Sequence, residues 1–206
     1  MAMKSAIVSG VCAVALSFLS TAIEAYADDV PGTGSQSVAV FGGVFVQGPF
    51  PTEALLPLYA EKESNYILGG MYGRDFFHLR SGFHLGGEVG LALRFGDEEY
   101  TSGEVWGGVS LRHHGLDVGP ITIAPSFVAG LSAVTDPIGI EKERAAWAGT
   151  NATLLFYLGP ELAFRARRYD QTEFFFRTHH RSGGRDTLSN MSGGHNANVF
   201  GIRRRF

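Results

Sequence analysis

Long stretches of alternating apolar and polar residues constrain the fold of this chain more than any other feature. Eight such stretches follow residue 36, and no segment after residue 27 approaches the roughly 20 apolar residues that a membrane-spanning helix needs. Side chains in a strand alternate between two faces, so the pattern predicts strands with one apolar and one polar face. If such a chain enters a membrane, it must form a closed barrel, because closure pairs every backbone hydrogen bond between strands.

The lengths of these stretches are typical of membrane strands. We predict strands at residues 37–47, 65–77, 83–95, 103–113, 121–134, 151–167, 172–181 and 197–206. Several are longer than the five or six residues usual in soluble sheets, and they reach the 9–11 residues of a tilted membrane strand.

The connections between the strands differ in length on the two sides of the predicted barrel. With a periplasmic N-terminus, the inner turns at 78–82, 114–119 and 169–171 are short, and the external loops at 48–64, 135–150 and 182–196 are longer. Outer-membrane barrels show this asymmetry. The sequence therefore predicts an all-β fold, an eight-stranded antiparallel transmembrane β-barrel in the cell outer membrane. A soluble periplasmic barrel or sandwich is the alternative, because its strands also alternate apolar and polar residues.

The first residues have the features of a secretory signal. Lys4 precedes an apolar run at 6–19 that is too short for an ordinary membrane helix, and a small-x-small cleavage pattern follows at 25–27. We therefore predict a signal peptide at 1–27 and an outer-membrane barrel domain at 28–206.

Charge and cysteine content exclude two classes of function. The formal net charge is −3, which argues against a nucleic-acid partner because such proteins carry a basic patch. Cys12 is the one cysteine and lies in the predicted signal peptide, so we expect no disulfide or thiol chemistry in the mature chain.

The charged residues of the predicted strands share the face opposite the apolar one. An eight-stranded barrel is filled by side chains, so we expect these residues to form a lumenal ion-pair network that leaves no open channel. The predicted members are Glu88, Arg94, Glu104, Arg112, Glu161, Arg165 and Arg177.

One polar pair falls on the apolar face. His180 and Ser182 have the same parity in the seventh strand, whereas Arg177, His179 and Arg181 have the lumenal parity. The pair is predicted to face lipid at the external leaflet, where polar groups are costly and suggest function. Its chemistry would be acyl transfer, with Ser182 as nucleophile and His180 as general base. The alternative is that both are ordinary polar residues at a strand end, since His-x-Ser is a common pattern.

Such a pair needs a third group to orient the imidazole. Asn196 and Asn198 have the outward parity in the last strand, Asp186 in the last loop is a weaker option, and Glu161 is expected in the lumen. Oxyanion donors could come from Asn190 and from backbone amides around Gly183 and Gly193. The adjacent histidine pairs at 113–114 and 179–180 point to opposite faces, so we predict no metal and no cofactor.

Three segments carry a resemblance to a known family. His179-His180-Arg181-Ser182-Gly183, the later Gly193-Gly194-His195-Asn196 and the terminal Gly201-Ile202-Arg203-Arg204-Arg205-Phe206 resemble the C-terminal motif of the lipid A 3-O-deacylase (PagL) family of outer-membrane acyl hydrolases. The resemblance implies an eight-stranded barrel with a lipid-facing Ser-His-acid triad that releases the 3-position acyl chain of lipid A without a metal.

Residue by residue, the match to that family is incomplete. His180 and Ser182 match its histidine and serine. Asn196 stands where the family has a glutamate, and Gly183 stands where it has an asparagine. A neutral amide stabilises an imidazolium less than a carboxylate does.

Together these observations predict a serine carboxylic-ester hydrolase that removes an acyl chain, 3-O-linked, from lipid A. Its site residues are His180, Ser182 and Asn196. The expected partners are lipid A and lipopolysaccharide of the outer leaflet and the barrel-insertion machinery, for which Phe206 fits a terminal aromatic signal; the oligomeric state is left open. The alternative is a non-catalytic barrel with a structural or loop-mediated role, and a narrow channel is a third hypothesis.

Overall fold

The computed structural model describes residues 35–48, 50, 60–96, 100–169, 171–185 and 187–206. The predicted signal peptide at 1–27 and Asp186 lie outside these residues, so both stay predictions.

The described residues form nine strands, one short helix and one 3-10 turn. The strands are β1 (Gln36–Val46), β2 (Lys62–His78), β3 (Phe83–Gly96), β4 (Ser102–His113), β5 (Leu116–Val118), β6 (Ile121–Val134), β7 (Leu154–Ala166), β8 (Thr172–Ser182) and β9 (Gly194–Arg205). The helix α1 spans Gly139–Trp147, and the 3-10 turn spans Arg80–Gly82. Within the described residues, no helix is both long enough and apolar enough to cross a membrane.

The strands close into an antiparallel barrel. Successive long strands pair with one another, β1 pairs with β9, and β4 pairs with β6 past the three-residue β5. The described wall therefore has eight strands, which confirms the predicted fold class. The predicted strand ends agree with the observed ones to within three residues.

Two elements differ from the sequence prediction. Residues 116–118, predicted as part of a turn, pair with 121–123 as the short strand β5 and extend one periplasmic hairpin. Residues 139–147, predicted as part of a loop, form the helix α1 on the external side. Both are too short for their periodicity to stand out in the sequence.

The two faces of the wall have opposite character. Large apolar side chains on the outward face are exposed, among them Val40 at 67%, Leu91 at 66% and Phe200 at 60%. A soluble barrel would bury this face, so the soluble alternative is wrong. The exposed apolar belt is the surface that an outer-membrane barrel presents to lipid.

The periplasmic half of the lumen contains a network of paired charges. Arg177 donates to both carboxylate oxygens of Glu88, at 2.5 and 2.7 Å, and to Glu161 at 2.9 Å. Arg203 donates to the same Glu161 at 2.6 and 2.9 Å. The predicted lumenal network is therefore confirmed, and pairing offsets the cost of removing these charges from water.

A second network fills the external half and ties α1 to the barrel. Glu141 of α1 is fully buried and accepts hydrogen bonds from Arg181 and, at 2.9 Å, from Arg94. Arg94 also donates to His195 of β9 at 2.9 Å. Burial by itself would raise the pKa of Glu141, but the guanidinium groups of Arg181 and Arg94 hold it well below its usual range. The helix is thus fixed over the external mouth by its own carboxylate.

Candidate active site on the outer wall

Near the external end of β8, successive side chains point alternately into the lumen and toward the outer wall. His179 and Arg181 are buried in the lumen, where His179 donates to Glu104 at 2.7 Å. His180 and Ser182 alternate with them and line a cleft on the opposite face of the strand, the outer wall. In the pairing with β9, His180 is opposite Asn196 and Ser182 is opposite Gly194. The strand therefore brings a histidine, a serine and an asparagine to one spot on the outer wall.

Asn196 is hydrogen-bonded to the imidazole in a defined orientation. Its Oδ1 lies 2.6 Å from Nδ1 of His180, and its Nδ2 donates to the backbone carbonyl of Gly48 at 2.9 Å. Because the amide group points its donor at Gly48, its oxygen must accept from His180. Nδ1 then carries the proton and Nε2 is unprotonated, the tautomer that a general base needs.

Ser182 lies beside this pair in an open cleft. The cleft has a volume of ≈ 680 Å³, and His180 and Ser182 both line it. Within the described part of the chain, no hydrogen bond joins Ser182 to His180. Such contacts are often long in unliganded enzymes and tighten when substrate binds. The arrangement can therefore supply a nucleophile and a base to one reacting group.

His180 is held tightly although it faces outward. Its side chain is only 5% exposed, and the ring of Phe50 stacks on it with 4.3 Å between ring centroids. Gly194 supports it from the opposite strand, because a Cβ at this position would lie 2.3 Å from Cε1 of the imidazole. A glycine is therefore required at 194 for the imidazole to occupy this position.

The other described candidates for the group that orients the imidazole, Glu161 and Asn198, do not contact His180. Glu161 lies in the lumen, bound to Arg177 and Arg203, and does not reach the outer wall. Asn198 faces outward but pairs across the strands with Thr178, two positions below His180. The residue is 2% exposed, and neither of its amide atoms has a hydrogen-bond partner among the described residues. Of the two asparagines that the sequence offered, Asn196 is the one that contacts the imidazole.

The predicted oxyanion donors are located around the same cleft. Asn190 and Gly193 both line it, and the Asn190 amide donates to the carbonyl of Ala148 at 3.3 Å. Gly183 follows the serine directly, and a Cβ there would lie 2.1 Å from the carbonyl oxygen of Ser189. An asparagine at 183 would not fit this backbone, which explains the glycine at that position.

Arg144 is a cleft residue that the sequence analysis missed. It comes from α1, and its Nη1 donates to the carbonyl of Gly194, the residue paired with Ser182. Arg185 lines the cleft as well. Arg144 could not be found from strand parity because it belongs to the helix in the external loop. Among the described residues, no three His, Cys, Asp or Glu side chains are placed to hold a metal ion.

Comparison with known proteins supports the barrel. No family model matches the chain, and no curated protein matches its sequence. The structure is similar to that of the outer-membrane enzyme PagL, with TM-score 0.51 and 12% identity over 82% of this chain and 99% of that one. It is equally similar to Neisserial surface protein A (NspA), with TM-score 0.50 and 11% identity over 85% of this chain and 99% of that one. The protein has the fold of an eight-stranded outer-membrane β-barrel and belongs in the cell outer membrane.

Proposed function

We propose that this protein is an outer-membrane acyl-ester hydrolase that removes a 3-O-linked acyl chain from lipid A. The observation that carries the proposal is the hydrogen bond between His180 and Asn196, at 2.6 Å, beside Ser182 on the outward face. An isolated polar cluster on this face costs free energy, and this one has the tautomer and orientation of a base.

The reaction divides into two steps that use these residues in turn. Ser182 Oγ forms a bond to the ester carbonyl while Nε2 of His180 takes the hydroxyl proton. The tetrahedral intermediate collapses, the bond between the acyl carbon and the sugar oxygen breaks, and His180 returns the proton to the leaving alkoxide. Water, deprotonated by His180, then attacks the carbonyl carbon of the acyl-serine, the bond from that carbon to Ser182 Oγ breaks, and His180 returns the proton to Oγ. The products are a free fatty acid and the 3-hydroxyl of lipid A, with Ser182 regenerated.

Asn196 acts in this scheme by holding the ring. Its oxygen keeps the proton on Nδ1, and its bond to Gly48 keeps the amide from turning. An amide gives less stabilisation to the imidazolium than a carboxylate, so this site is expected to be slower than a Ser-His-acid site.

The position of the cleft suits a lipid of the outer leaflet. Ser182 lies at the external end of β8, next to the loop that carries the rest of the cleft. A lipid A molecule would reach an outward-facing site by moving laterally in its own leaflet. The apolar wall below the site, with Phe176 and Phe200 in ring contact at 5.1 Å, would accommodate acyl chains.

The fold by itself does not distinguish this function from others, because an enzyme and a surface protein share it. The direct test is expression in a host that makes lipopolysaccharide, followed by mass spectrometry of the lipid A. We expect loss of one hydroxyacyl chain with the wild-type protein and unchanged lipid A with Ser182→Ala. Unchanged lipid A from both, with the wild type folded in the outer membrane, would favour the non-catalytic alternative.

A further inference from the structure

The described residues that line the cleft next to Ser182 include positive charges and no negative one. Among the described residues that line it, two are arginines, Arg144 and Arg185, and none is a carboxylate. A cleft lined by charge of one sign attracts ligands of the opposite sign. The neutral ester that Ser182 would attack does not need this charge, so another group of the substrate can use it.

Arg144 differs from the arginines of the lumen in its partners. Arg94 and Arg177 each lie within 3.0 Å of a buried carboxylate. Arg144 instead donates one hydrogen bond to the carbonyl of Gly194, and no carboxylate of the described residues forms an ion pair with it. A guanidinium group has five N–H donors in a rigid fork, so most of the donors of Arg144 are left for a ligand.

The protein fixes this guanidinium in place. Glu141, three residues earlier in α1, anchors the helix to Arg181 and Arg94 inside the barrel. From that anchored helix, Arg144 reaches the carbonyl of Gly194, directly across the strands from Ser182. A charge that is already positioned loses little conformational entropy when it binds a ligand.

We propose that Arg144 binds a phosphate monoester on the lipid substrate, and that the cleft thereby selects phosphorylated acyl lipids over neutral ones. The inference rests on the proposed function and names the feature of the substrate that the site recognises. Arginine pairs with phosphate through two parallel hydrogen bonds, which fixes the headgroup as well as attracting it. Arg185 adds a second positive charge at the same cleft.

Affinity measured without turnover tests this subsite independently of catalysis. In a Ser182→Ala background, we would titrate full-length protein in detergent micelles with phosphorylated lipid A and with the same lipid after phosphatase treatment. Arg144→Gln should weaken binding of the phosphorylated lipid by about tenfold to a hundredfold, the effect of one charge-assisted hydrogen-bond pair. It should leave binding of the dephosphorylated lipid unchanged, and Arg144→Lys should retain part of the preference.

Lys142→Gln is the matched control, because it removes one positive charge from the same helix. Lys142 lies over the ring of Tyr100, with its Nζ 5.2 Å from the ring centroid, and is not part of the cleft. We expect this variant to bind both lipids as the parent does. An equal loss in Lys142→Gln would mean that the helix acts through its net charge and would overturn the assignment to Arg144.

Two further arms distinguish a lipid-phosphate subsite from an oxyanion donor and from a site for free phosphate. With Ser182 intact, Arg144→Gln should raise KM for the phosphorylated lipid much more than it lowers kcat for a short neutral p-nitrophenyl ester. A fall in kcat for the neutral ester as large as the loss on the phosphorylated lipid would instead make Arg144 an oxyanion donor and overturn the subsite. Inorganic phosphate should compete only weakly with the phosphorylated lipid; binding of free phosphate as tight as that of the lipid would assign the site to phosphate itself.

The proposed function and this inference can fail separately. Preferential binding of phosphorylated lipid without hydrolysis by wild-type protein would keep the subsite and reject the hydrolase. Hydrolysis of lipid A together with equal affinity for phosphorylated and dephosphorylated lipid A would keep the hydrolase and reject the phosphate subsite.

Discussion

The lumen and the outer wall of this barrel treat polar groups in opposite ways, and β8 shows both within four residues. Inside, Arg181 donates to Glu141, to the Ser132 hydroxyl at 2.9 Å and to backbone carbonyls. Outside, His180 keeps Nε2 free of any described partner, and the Asn198 amide has none. The lumenal charges are neutralised by ion pairs with one another, even where single atoms such as Nη1 of Arg94 lack a hydrogen bond, whereas no described ion pair holds the outward His180 and Asn198.

This difference separates structural from functional polarity. A buried charge without a partner costs several kcal/mol, so a lumen of this kind is stable only when its ion pairs are complete. Polar groups toward lipid carry a similar cost, and among the described residues those of the outer wall have no ion pairs to offset it. Substitutions in the lumen should therefore lower stability, and substitutions on the outer wall should lower activity.

The largest effect on stability is expected at the external lumen. Glu141→Gln removes one of the two buried carboxylates that Arg94 and Arg181 share, the other being Glu104, and should lower the free energy of unfolding by about 3–5 kcal/mol. Urea unfolding in detergent micelles measures it. The control is Glu143→Gln, an exposed residue of the same helix, which should change it by less than about 0.5 kcal/mol. Equal effects of the two variants would contradict the anchoring role of Glu141.

On the outer wall, Asn196 gives the sharpest contrast. Asn196→Ala should lower kcat by about tenfold to a hundredfold, because the imidazole loses the acceptor that fixes its tautomer. Thermal stability should change little by comparison. Asn196→Asp restores an acceptor and adds a negative charge, so its kcat should recover at least to the wild-type value. A normal rate in Asn196→Ala would remove Asn196 from the mechanism.

Asn198 and Ser132 form a matched test of the two environments. Asn198→Leu removes an unpartnered buried amide from the outer wall and should raise the free energy of unfolding by about 1 kcal/mol. Ser132→Ala leaves Arg181 and Glu104 each short of one lumenal hydrogen bond and should lower it by about 1–3 kcal/mol. Two changes of the same sign would contradict the comparison.

The smallest effect concerns pH. The pKa of Glu141 is depressed in the folded protein and takes its ordinary value of about 4.3 when unfolded. Its contribution to stability is therefore present above about pH 4.3 and is lost as the pH falls through the folded pKa. Between pH 6 and about pH 3, wild type should lose more stability than Glu141→Gln. Parallel curves for the two proteins would show that Glu141 does not titrate as proposed.

Strand positions and facing could be predicted because alternation is a local property of the chain. The parity of His180 and Ser182 against Arg181 followed from the sequence; in the structure Arg181 bonds to Glu141 in the lumen, while His180 and Ser182 line the cleft. The choice between Asn196 and Asn198 did not follow from parity and came only from the family resemblance, because it depends on the register of β9 against β8 across the intervening loop. A shift of two residues keeps the parity and exchanges the two asparagines.

The contribution of α1 could not be predicted for a different reason. The nine-residue helix is held by Glu141 contacting Arg94 of β3 and Arg181 of β8, contacts that span 47 and 40 residues of sequence. Its own residues show no strong apolar stripe that would indicate a helix. Arg144 enters the cleft only as a result of those distant contacts.

Covalent capture of the nucleophile tests the central claim most directly. An alkyl fluorophosphonate reacts with an activated serine by forming an Oγ–P bond and releasing fluoride, without any need to know the natural substrate. Peptide mass spectrometry of the treated, folded barrel should find one adduct, on Ser182, and His180→Gln should abolish it. A folded wild type without an adduct, or an equal adduct in His180→Gln, would contradict the assignment of an active site to the outer wall.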